Sequence, residues 1–109
     1  MPKSSRAFSL ADLERKHGRL TIGRVLKSWR ETAGLSQDAF ARKIGLSQTR
    51  LSELEIGQGW LPPESAHRVG VRMGYSPSVM VGISVEDRLA KSGLKYKVLA
   101  KPLGRKRSK

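Results

Sequence analysis

The sequence has no cysteine, which excludes disulfide staples, thiolate metal sites and cysteine nucleophiles at once. Aromatic residues make up only 6% of it and hydrophobic residues 38%, so the core has to be small and assembled from aliphatic helix faces. Such a core leaves modest stability, and a second copy of the chain would bury what one copy cannot. Hydrophobic runs are short, and none approaches the ~18 residues that a membrane-spanning helix requires. The basic residues near the N-terminus are followed by no apolar stretch, so no secretory signal is legible. Acidic residues are also scarce, 9 Asp+Glu against 22 Lys+Arg, giving a net charge of +13 over 109 residues. A cytoplasmic chain that attracts a polyanion is the natural expectation.

The positive charge is uneven. Residues 20–74 hold eight basic and five acidic side chains, close to balance, whereas residues 91–109 hold eight basic and none acidic. The stretch 101–109, Lys-Pro-Leu-Gly-Arg-Lys-Arg-Ser-Lys, has too little apolar matter to fold and reads as a disordered basic tail. Its like charges repel unless counter-charge is supplied, which favours a polyanion-binding arm over a merely solubilising one. Residues 1–18 read as a flexible basic segment, with at most a short helical turn around Leu10–Lys16.

Between these ends lie helical patterns with clear punctuation. A first helix starts at Thr21, whose hydroxyl caps free backbone N–H groups, and Ile22, Val25, Leu26, Trp29 and Ala33 form its apolar stripe before Gly34 stops it. Ser36 caps a second helix with Ala39, Phe40 and Ile44 inward, ended by Gly45. Only Leu46 intervenes before Ser47, which caps a third helix, Gln48–Glu55, with Leu51 and Leu54 inward and Gln48, Thr49, Ser52 and Glu53 outward. Two short helices joined so tightly meet at a steep angle, as in a helix-turn-helix. Trp60-Leu61-Pro62-Pro63 leads into a fourth helix, with Ala66, Val69, Val71 and Met73 on its apolar side. Ser76-Pro77 opens a fifth, whose middle is weakened by Gly82 and Ser84. Leu94–Ala100 alternates, with Tyr96 and Val98 on one face and Lys95 and Lys97 on the other, which predicts a strand. A lone strand is unstable, so it pairs either with the same strand of a second chain about a two-fold axis or with Arg19–Gly23. The expected fold is all-α, five helices with a short C-terminal strand.

The run Gly34-Leu-Ser-Gln-Asp-Ala-Phe-Ala-Arg-Lys-Ile-Gly-Leu-Ser-Gln-Thr-Arg-Leu-Ser-Glu-Leu-Glu-Ile-Gly57 closely resembles the Cro/C1-type helix-turn-helix of phage repressors and xenobiotic-response-element family regulators. The similarity covers Thr21–Gly74. It implies a lambda-repressor-like domain over residues 19–76, and the patterning beyond it reads as a dimerising helix and strand over 77–100. In that family the second helix braces on the DNA backbone and the third enters the major groove. Carried over position by position, Ser47, Gln48, Thr49, Ser52 and Glu53 fall on the reading helix, with Arg50 on a base edge or phosphate. Gln can bond an adenine edge, Thr offers a hydroxyl and a methyl, and Glu accepts from cytosine. Gln37 falls where the family has a phosphate contact, and Arg42 and Lys43 supply sequence-independent affinity. Glu53 departs from the pattern, because it repels phosphate unless cytosine or an internal arginine partners it. Arg30 and Glu55 fall where the family has an ion pair joining the first helix to the third.

The remaining candidates read as structural. Trp29 is assigned to the core and Trp60 to loop cover. His17 and His67 stand fifty residues apart without a ligand constellation, and Asp12, Glu14, Glu86 and Asp87 read as solvated. No Ser-His-Asp set, phosphate loop or zinc spacing occurs, so neither enzymatic activity nor a metal or cofactor is expected. The resemblance implies a nucleoid-associated DNA-binding transcriptional regulator, a repressor acting as a homodimer, and the strand pattern assigns the dimer contact to Leu94, Tyr96 and Val98. Two other roles share the fold: an antitoxin that holds a toxin through its terminal segment, and a bridging coactivator or RNA-binding protein. Fold alone does not choose among them.

Overall fold

The computed structural model describes residues 19–103. Among these residues five helices follow in order: α1 (Ile22–Ala33), α2 (Gln37–Ile44), α3 (Gln48–Glu55), α4 (Pro63–Met73) and α5 (Pro77–Lys91). Four begin with a hydroxyl cap. Thr21 Oγ1 accepts the Arg24 N–H at 3.1 Å, Ser36 Oγ that of Ala39 at 3.1 Å, Ser47 Oγ that of Arg50 at 3.0 Å, and Ser76 Oγ that of Val79 at 3.3 Å. Each removes one of the free donors of a helix start. α4 has no such cap and opens on proline, which lacks the donor. α1, α2 and α4 end on glycines in the left-handed region, where a side chain would be strained. In the α2–α3 turn this is Gly45, with φ +81°.

One core unites the elements. Val25 and Leu26 of α1, Phe40 and Ile44 of α2, Leu51 of α3, Val69 of α4 and Met80 of α5 are all fully or almost fully buried. Each large aliphatic side chain so buried contributes ~1.5–3 kcal/mol relative to exposure. Trp29 closes one side of the core, its ring meeting Tyr75 edge-on at 5.3 Å. α1 packs so close to the end of α3 that a methyl group on Gly23 would sit 1.8 Å from the Leu54 carbonyl oxygen. α4 and α5 form the most extensive helix pair. Among the described residues no helix is long and apolar enough to cross a membrane.

Several expectations need correction. Ala33 and Val71 fall on exposed surface instead of in their apolar stripes. No strand forms among the described residues. Leu94–Ala100 is an irregular segment laid along α5, and residues 19–23 form the capped start of α1 and not a pairing edge. The physical reason is a side-chain acceptor: the buried Glu86 carboxylate takes the Val98 N–H at 2.7 Å, so Val98 bonds to a helix and not to another strand. Gly82 makes room for this, since a methyl group there would lie 2.8 Å from the Val98 carbonyl oxygen. Glu86 and Asp87 are therefore structural acceptors and not solvated charges. Ser84 is wholly buried and donates its hydroxyl to the Leu61 carbonyl at 2.7 Å, so the residues that weaken α5 in isolation are the ones that dock it. Residues 1–18, with His17, Asp12 and Glu14, and the end of the basic tail (104–109) lie outside the described residues.

Candidate nucleic-acid interface

α3 buries Leu51 and Leu54 and leaves its opposite side polar. Helical spacing places residues 48, 49, 52 and 53 on adjoining strips of surface. Gln48, Thr49 and Glu53 are exposed and Ser52 is half-exposed. Together they offer amide, hydroxyl and carboxylate groups, which match the donors and acceptors of base edges. Ser47 also lies at the surface, with its hydroxyl engaged in the cap. Glu53 has no internal arginine partner among the described residues.

The helix is braced from behind. Glu55, its last residue, receives both Nε and Nη2 of Arg30, at 2.7 and 3.0 Å, in a two-point pair. The third donor used on Arg30, Nη1, reaches the Leu35 carbonyl at 3.0 Å. Gln37, the first residue of α2, donates its amide N–H to Glu55 Oε1 at 3.0 Å, while its own Oε1 lies 3.5 Å from Gln48 Nε2. One glutamine thus touches both ends of α3. Burial alone would push the Glu55 carboxyl up, but the hydrogen bonds from Arg30 and Gln37 prevail and hold it below the usual carboxylate range.

The other basic side chains sit differently. Arg42 and Lys43 are exposed near the end of α2, and Arg42 pairs with Asp38 one turn earlier at 3.0 Å. Arg50 does not join the open row: its Nη2 donates to the Trp60 carbonyl at 2.7 Å, drawing the guanidinium onto the loop after α3. Trp60 in turn donates its indole N–H to the Ser84 carbonyl at 2.8 Å. Leu94 and Tyr96 are exposed and Val98 half-buried, well apart in character from the α3 face. Sequence reasoning missed the roles of Arg50, Ser84 and Glu86. The one signal for Arg50 is its place four residues before Leu54, on the flank of the buried stripe. Among the described residues no cluster of three His, Cys, Asp or Glu side chains could hold a metal ion.

Comparison with known families finds a match over residues 21–69 to a helix-turn-helix domain. Searches among curated proteins and solved structures found no match. The matched span runs from the Thr21 cap into α4, and so takes in the Gly45 turn, the braced α3 and the Arg30–Glu55 pair. Family and geometry meet on the same residues, and the segment 21–69 is a helix-turn-helix domain of the Cro/C1 type.

Proposed function

We propose that this protein is a sequence-specific transcriptional repressor that binds a pseudo-palindromic operator as a homodimer and carries out no catalysis. The observation that carries the reading is α3 itself, a rod braced at both ends by Gln37 and bearing an open polar face of Gln48, Thr49, Ser52 and Glu53. Two copies would place this helix in successive major grooves, with half-site centres ~34–36 Å apart. Gln37, Ser47, Arg42 and Lys43 flank the reading helix and suit contact with phosphates. Lys91, Lys95, Lys97 and Lys101, all exposed, add sequence-independent attraction that falls as salt rises. The dimer forms through the C-terminal segment, where Leu94, Tyr96 and Leu99 stay exposed in the single chain.

Selection from random duplexes followed by sequencing tests this reading. A two-fold symmetric motif is expected, and Gln48→Ala should weaken its binding roughly 5- to 100-fold and relax one position. A footprint indifferent to sequence would overturn it. The exposed apolar residues of the C-terminal segment also favour a second reading, an antitoxin that holds a toxin there. Co-purification of a stoichiometric partner from the native host would support that role.

A further inference from the structure

Arg50 occupies the third position of α3, between Thr49 and Leu51, yet its guanidinium is engaged inside the molecule. Its Nε is buried with no acceptor, a cost that a solvated arginine avoids by swinging outward. What holds it is the charge-assisted bond to the Trp60 carbonyl. From there the connection continues without a gap. The Trp60 indole N–H reaches the Ser84 carbonyl, and the Ser84 hydroxyl returns to the Leu61 carbonyl beside Trp60. Ser84 and Leu61 are both fully or almost fully buried, so the far end of this clasp is fixed in the core. Gln37 and Arg30 hold α3 at its ends, and Arg50 holds it on its side.

We propose that Arg50 is a positioning residue that seats α3 through Trp60 and Ser84, so that base discrimination is set partly from α5. The proposal rests on the DNA-binding reading of the α3 face. It separates Arg50 from its neighbours Gln48 and Thr49: the latter touch the duplex, whereas Arg50 determines the angle at which they do so. Trp60→Phe keeps an aromatic side chain and the backbone carbonyl that accepts from Arg50, but loses the indole N–H and one ring of its bulk, whereas Arg50→Ala removes the guanidinium.

The test titrates full-length wild type, Arg50→Ala, Trp60→Phe and the double variant onto the duplex that wild type selects from a random pool. The same titrations use single-base-pair variants of that duplex and several salt concentrations. Each single substitution is expected to narrow the discrimination between selected and altered duplexes roughly 3- to 10-fold. The double variant should be no worse than Arg50→Ala alone, since the Trp60–Ser84 link steadies α3 only through the Trp60 carbonyl that Arg50 holds. The slope of log affinity against log salt should stay unchanged. A direct phosphate contact behaves otherwise: Arg50→Ala would then weaken all duplexes alike and reduce the slope by about one, with Trp60→Phe silent. That outcome, or additive losses, overturns the proposal. Should Arg50→Ala fail to fold, Arg50→Met, which keeps the apolar stem and removes the guanidinium, takes its place, and wild-type discrimination in it overturns the proposal. If wild type selects no motif, the DNA-binding reading itself fails and this proposal with it.

Discussion

Asp87 near the end of α5 caps the start of α1: its Oδ2 accepts the Ile22 N–H at 3.0 Å across 65 residues of sequence. Its Oδ1 holds the Arg19 guanidinium at 2.8 Å. The first helix therefore has two caps, Thr21 from its own sequence and Asp87 from the far side of the domain. Asp87→Ala is expected to cost about 1–2 kcal/mol through the lost cap. Asp87→Asn, which keeps an oxygen for Ile22, should cost less. Urea unfolding followed by circular dichroism measures both, and equal losses would assign the effect to the Arg19 pair.

Glu55 and Asp87 act oppositely on stability as pH changes. Glu55 titrates below its ordinary range in the folded chain, so its contribution is present at neutral pH and lost as pH falls through the usual carboxylate value and below it. Burial pushes Asp87 up, more than Arg19 and the Ile22 N–H pull it down. The folded state then holds that proton more tightly, and stability falls as pH rises from the ordinary aspartate value through the raised one. Glu55→Gln should flatten the rise of stability between about pH 3 and 6, and Asp87→Asn should steepen it. The loss of the Arg30 counter-charge in Glu55→Gln should cost roughly 3 kcal/mol at neutral pH, because a half-buried guanidinium is left unpaired. Unfolding free energies measured across that pH window check both slopes.

Gly23 is the tightest contact between α1 and α3. Since the obstacle is the Leu54 backbone carbonyl and not a flexible side chain, Gly23→Ala has to push the two helices apart. A loss of about 2–3 kcal/mol is expected, near the upper range for overpacking. Thermal unfolding should show it plainly, and an unchanged midpoint would contradict the packing described.

The proposed dimer contact is tested at Tyr96 and Leu99, which are 63% and 83% exposed in the single chain. Glutamate at both positions should convert a dimer into a monomer in light scattering and abolish two-site binding to a palindrome, leaving half-site binding intact. A wild-type chain that is already monomeric at micromolar concentration would rule out this surface as the dimer contact.

The helix boundaries were legible because they are written in local chemistry. Thr21, Ser36, Ser47 and Ser76 announce donors to be capped, and Gly34, Gly45 and Gly74 announce the left-handed exits. The outward residues of α3 follow from periodicity alone. What stayed hidden depends on partners distant in the chain. Leu94–Ala100 has the alternation of a strand, but its acceptor is the Glu86 side chain, and nothing local distinguishes a carboxylate aimed at a backbone from one aimed at water. Gly82 and Ser84 look like defects until the segment and loop that fill them are in place. Arg50 follows directly on two exposed polar residues, Gln48 and Thr49, and only the position of Trp60 reveals where its guanidinium goes.

The clasp at Trp60 also equips the molecule with its own optical sensor. One indole is held at the junction of α3 and α5, while the other, Trp29, lies against Tyr75 in the interior. Replacing Trp29 by phenylalanine would leave a single indole, excited apart from the two tyrosines, whose colour and intensity follow the seating of α3. Engagement by any ligand of that helix could then be watched in real time, with no dye attached.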